Sequence, residues 1–111
     1  MTSGQTSIVE LRLDQTVSTD ALSLRWQELN DSRCPVGVAC VWEGQAAVIL
    51  EVRRGGEAGK TVELVLRAGA EPAARAVAGL ELRLLEVEPY PREGVVPERN
   101  QYVATLEIKP L

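Results

Sequence analysis

The chain has 111 residues, of which 45% are hydrophobic, 25% charged and 4% aromatic, the length and composition of one ordinary globular domain spanning residues 1–111. Twelve basic against sixteen acidic residues leave a net charge of −4, which opposes unspecific attraction to nucleic acid or to an anionic membrane. The absence of histidine removes Ser-His-Asp and Cys-His catalysis, imidazole metal sites and a histidine pH switch together.

Met1 to Gln5 is small and polar, without the charged and apolar regions of a signal peptide, and no apolar run approaches the roughly 18 residues of a membrane span. Val9, Leu11 and Leu13 then alternate with Glu10, Arg12 and Asp14, as Leu22, Leu24 and Trp26 do with Ser23, Arg25 and Gln27. That period of two is the pattern of half-buried strands. After an irregular stretch, Ala46, Val48, Leu50 and Val52 resume the alternation, and Val62, Leu64 and Leu66 follow beyond Arg54-Gly55-Gly56-Glu57-Ala58-Gly59. The glycines supply the positive φ angles of a reversal, so these two segments predict a hairpin.

Glu71 to Ala78 breaks the pattern. Pro72 before Ala73, Ala74, Arg75, Ala76 and Val77, with Gly79 as terminator, predicts one or two helical turns acting as a crossover. Leu80, Leu82 and Leu84 alternate on one parity and Leu85 and Val87 on the other, a phase slip that predicts a β-bulge near Leu84-Leu85. Pro89, Pro91 and Pro97 mark a loop, and Tyr102, Ala104, Leu106 and Ile108 form a final strand that closes a long hairpin. Six to seven strands with one short helical crossover predict an all-β fold, an antiparallel β-sandwich of immunoglobulin-like type.

The distinctive segment runs Asn30-Asp31-Ser32-Arg33-Cys34-Pro35-Val36-Gly37-Val38-Ala39-Cys40-Val41-Trp42-Glu43-Gly44 and holds both cysteines. Five residues lie between them, a spacing that can close a small disulfide loop with an entropic gain of about 2.4 kcal/mol. Asp-Ser-Arg-Cys-Pro followed by Cys-Val-Trp-Glu-Gly resembles the signature of a family of small bacterial lipoproteins and secreted proteins of unknown function. The strand Ala46 to Val52, Glu88-Pro89-Tyr90-Pro91 and Tyr102 to Leu106 extend the likeness. The resemblance implies a Cys34–Cys40 disulfide and an extracytoplasmic (periplasmic or secreted) location, and no mechanism; a cytoplasmic location is the alternative in the absence of a signal peptide.

Two roles for the segment stay open. In one, the clip orders a long loop, Pro35 and Gly37 shape its turn, and Trp42 packs in the core. In the other, Arg33, Pro35, Val36 and Val38, with Tyr90 between two prolines, form a preorganised binding loop. Thiol redox catalysis lacks its Cys-x-x-Cys signature. Arg33 is expected to pair with Asp31 or Glu43, and Asp31 and Ser32 to form turns.

Glu86, Glu88, Glu93 and Glu98 suggest calcium but fit no EF-hand spacing, and glycoside hydrolysis would require more aromatic sugar platforms. No phosphate loop, zinc quartet or nucleophile with an adjacent base is present. The expectation is a non-catalytic binding or interaction module without cofactor or metal, taking an unknown protein or small ligand and not nucleic acid. A protease inhibitor acting through Arg33 to Cys40 is one alternative, and a cytoplasmic structural or regulatory domain with two free thiols is another.

Overall fold

The structure is a computed structural model, describing residues 6–19, 22–41, 43–67 and 70–111. The chain forms β1 (Ser7–Arg12), β2 (Thr16–Thr19), β3 (Leu22–Asp31), β4 (Gln45–Arg54), β5 (Lys60–Arg67), β6 (Arg75–Val77), β7 (Leu80–Glu88), a 3₁₀ turn at Arg99–Gln101, and β8 (Val103–Pro110). Two four-stranded antiparallel sheets result, ordered β1-β8-β7-β6 and β2-β3-β4-β5.

The alternating residues do what their period requires. Leu24, Trp26, Val48, Leu50, Val52 and Leu64 from one sheet face Leu11, Leu82, Leu84, Val87, Ala104 and Leu106 from the other, and all are buried. Trp26 is the largest of them, and its indole Nε1 donates to the Glu28 carbonyl at 2.8 Å, so its one polar atom is satisfied. The bulge foreseen near Leu84-Leu85 is present: Leu84 pairs with Leu106 and Glu86 with Thr105. A second, unforeseen bulge between Trp26 and Glu28 moves the inward parity from Trp26 to Leu29, which packs against the core.

Three expectations are corrected. Eight strands replace six to seven, because the four-residue β2 and three-residue β6 are too short to show a hydrophobic period. The helical crossover is not formed. Arg75–Val77 instead pairs with Leu80–Leu82, and Ala78 and Gly79 take φ of 52° and 77°, the left-handed pair that a two-residue hairpin turn demands. An isolated turn of helix pays a nucleation cost that pairing with the open edge of β7 avoids.

The connectivity, finally, is not immunoglobulin-like. Greek-key links are that fold's hallmark, whereas here β2 to β5 and β6 to β8 are two meanders and the chain changes sheet between β1 and β2 and again between β5 and β6. At the first crossing Asp14 has φ 71°, a conformation aspartate tolerates better than most residues.

Candidate functional site

The β3–β4 connection, residues 32–44, and the β7–β8 connection, residues 89–102, meet at one end of the sandwich. Their junction is built around Arg33, the buried charged residue among those described, 7% exposed. Its Nε and Nη2 donate to the two carboxylate oxygens of Asp31 at 2.8 and 2.7 Å, Nη1 donates to the Val87 carbonyl at 2.8 Å, and Nη2 also reaches the Pro89 carbonyl at 3.2 Å. The guanidinium lies 4.9 Å from the centre of the Tyr90 ring. Only a planar five-donor group can hold a carboxylate in two places, cap two carbonyls and stack on an aromatic face at once.

The chain is zipped on either side of this latch. Ser32 N–H donates to the Gln45 carbonyl at 2.8 Å and Cys34 N–H to the Glu43 carbonyl at 3.0 Å. Gly44 closes the zip with φ 71°, and a Cβ there would collide with the Ser32 carbonyl oxygen, so the position takes glycine alone.

Beyond the latch lies a disulfide between Cys34 and Cys40, their Cα atoms 5.9 Å apart. Inside the ring Val38 N–H donates to the Pro35 carbonyl at 3.2 Å, and Gly37, with φ 95°, makes the turn. Val36 forms a parallel bridge to Arg92 on the other loop: its N–H donates to the Pro91 carbonyl at 2.9 Å and its carbonyl accepts from Glu93 N–H at 3.1 Å. Glu88–Pro89 is a cis peptide, and Val95 N–H returns to the Arg92 carbonyl at 3.1 Å.

These ties hold apolar side chains out in water. Of the eight large exposed hydrophobic residues among those described, six sit on the two loops: Val36, Val38, Val41, Tyr90, Val95 and Val96. Val41 and Val96 are 90% and 91% exposed. Exposed hydrophobics scattered singly are ordinary; here six of the eight fall on two loops that are bridged at Val36 and Arg92.

The residues singled out from sequence are thus brought together, with different roles. Cys34 and Cys40 are bonded, Val36 and Val38 are exposed, Pro35 is half-buried, and Tyr90 is both the stacking partner of the latch and an exposed residue. Arg33, expected on the contact surface, is instead buried beneath it; of its two expected partners it pairs with Asp31 and not Glu43, and Asp31 also makes the expected turn, its Oδ1 accepting from Arg33 N–H at 3.2 Å. Trp42 lies outside the described residues. Val41, Val95 and Val96 were not singled out from sequence. The signal available was Val95-Val96 between Gly94 and Pro97, an apolar pair in a segment with no strand period to bury it.

A small cleft opens beside the latch, lined by Arg33, Tyr90, Leu66, Arg67, Leu85 and Glu86. Among the described residues no three His, Cys, Asp or Glu side chains converge as a metal site would require, and no helix is long and apolar enough to cross a membrane. On the far side of the same end, Asp14 meets Arg99 at 2.9 Å, and this hydrogen-bonded guanidinium holds the Asp14 carboxyl below its ordinary pKa. Comparison of the chain with protein-family models, with curated proteins and with solved structures finds no match in any of the three.

Proposed function

We propose that the protein is a non-catalytic binding module of the extracytoplasmic space, engaging a partner through the valine-rich tip formed by residues 36–41 and 90–96. The observation that carries this reading is the gathering of six of eight exposed large hydrophobic residues on two loops pinned by a disulfide and a backbone bridge. β-branched side chains on a restrained backbone lose little entropy on docking. The disulfide is compatible with an oxidising compartment, as is the resemblance of Asp31 to Pro35 and Cys40 to Gly44 to secreted and lipoprotein sequences. A non-enzymatic role is supported by the lack of histidine in the sequence, which removes the commonest general base.

The inhibitor alternative finds less support. Arg33 is sequestered, so it is not offered to a specificity pocket. Val36 has spent both its N–H and its carbonyl on the neighbouring loop, leaving no free main chain there to lie along a protease cleft. The cytoplasmic alternative called for two free thiols, and the Cys34–Cys40 bond lends it no support.

The test compares immobilised wild type with a Val36→Asp/Val96→Asp variant as bait against envelope and secreted fractions. A partner held by the wild type and lost by the variant, with the circular dichroism of both proteins alike, is the expected result. Equal retention by both baits would remove the tip as the binding surface.

A further inference from the structure

The disulfide controls more chain than it encloses. Its ring contains only residues 35–39, but Val36 within the ring is the backbone partner of Pro91 and Glu93 on the second loop. Between Pro91 and Gly94, the backbone hydrogen bonds that reach outside the second loop are the pair made with Val36: one to the Pro91 carbonyl, one from Glu93 N–H. The bond from Val95 to Arg92 is local. The second loop contains no cysteine, and this pair of hydrogen bonds ends on a residue enclosed by a disulfide in another segment. Cys40 is an exposed residue and Cys34 a half-buried one, so the disulfide lies at the surface.

The Arg33 latch is independent of the ring. Arg33 and Asp31 precede Cys34, and their partners, the Val87 and Pro89 carbonyls, lie at the root of the second loop. The bonds from Ser32 to Gln45 and from Cys34 N–H to Glu43 also involve no sulfur. Root and tip are therefore fastened by different means, one ionic and buried, one covalent and exposed.

We propose that Cys34–Cys40 is a redox-operated clasp that sets the order of both loop tips while the root and the sandwich stay folded. The reductant is a low-molecular-weight thiol such as glutathione. Its thiolate attacks the Cys40 sulfur, forming a mixed disulfide and expelling Cys34 as a thiolate that takes up a proton. A second thiol then releases Cys40 and leaves as the oxidised dimer, so that two thiols lose two electrons and the protein gains two S–H groups. Freed of the ring, the Pro35–Val38 turn regains its backbone entropy, and the bridge at Val36 is left as two isolated hydrogen bonds, each worth little in water. The clasp itself stands on this geometry alone; the consequence that reduction weakens partner capture rests on the binding reading above.

Amide hydrogen exchange on the oxidised protein, on the same protein incubated with millimolar reduced glutathione, and on a Cys34→Ser/Cys40→Ser variant tests this directly. The expected result is full reduction by intact mass and a fall on the order of tenfold or more in protection at Val36 and Glu93, with the amides of Leu50 and Leu106 unchanged. Unaltered protection at Val36 and Glu93 would overturn the clasp, as would resistance to glutathione. Loss of protection throughout the sheets would overturn it too, by making the disulfide a global staple. Chemical reduction serves as the primary measurement because it needs no substitution, and the variant must reproduce it. Capture by the reduced protein is scored separately: a partner retained in full counts against the tip as the binding surface and leaves the exchange result to judge the clasp.

Discussion

The protein uses valine in two opposite ways. Val48 and Val52 on β4 and Val87 on β7 are enclosed between the sheets, while Val36, Val38, Val41, Val95 and Val96 stand in solvent at one end. The first group stabilises the fold by leaving water and needs no further support. The second, between 38% and 91% exposed, gains much less from burial, and its loops carry polar and covalent ties: the Arg33–Asp31 pair, the bridge at Val36 and the disulfide. An apolar surface kept outside a fold has to be held there by something other than the hydrophobic effect.

Four experiments test that division, from the largest expected change to the smallest. Trp26→Ala empties the centre of the enclosed region and is expected to cost about 3 to 5 kcal/mol in denaturant unfolding; a loss below about 1 kcal/mol would show that the sheets do not depend on it. Arg33→Ala leaves the Asp31 carboxylate unpaired and two carbonyls uncapped at a nearly buried site, at a cost of about 3 kcal/mol. The companion variant Arg33→Lys, which keeps the charge but not the planar fork, is expected to recover only part of that stability. Full recovery would show that charge alone, and not the bidentate geometry, makes the latch.

Val41→Asp and Val96→Asp, by contrast, alter side chains with nothing to lose and are expected to change unfolding stability by less than about 0.5 kcal/mol. A larger destabilisation would place these valines in the packing of the fold. The smallest effect concerns pH. Asp14 is held below its ordinary pKa in the folded chain chiefly by its hydrogen bond from Arg99. A depressed carboxylate pKa stabilises the fold above the unfolded-state value of about 3.9 and loses that contribution as pH falls through the lower folded value. The pair is solvent-exposed, so its share is slight. Asp14→Asn should flatten the acid limb of the stability curve only below about pH 4, and a change confined to neutral pH would contradict the assignment.

Much of the sandwich was legible because strands buried on one face write a period of two into the chain. Leu82, Leu84 and Val87, with their slip of phase, even announced the bulge. The Gly-rich hairpin between β4 and β5 was legible for a related reason, since its turn chemistry is local. What misled was also local: Pro72 to Val77 carries helix signals, and only the open edge of β7 shows why Arg75–Val77 is a strand. At the site, the cysteines and Val36, Val38 and Tyr90 were visible as oddities in a loop. The burial of Arg33 was not, because its partners Val87 and Pro89 are 54 and 56 residues away.

By itself, then, the sequence determined an all-β chain, its inward faces, the place of the bulge in β7 and the segment that departs from the pattern, all consequences of interactions between near neighbours. The tertiary structure alone decided the two-meander connectivity, the strand at Arg75–Val77 and the meeting of residues 36–41 with 90–96. Each depends on which distant backbone groups come within hydrogen-bond reach, and a pattern of near neighbours carries no record of that distance.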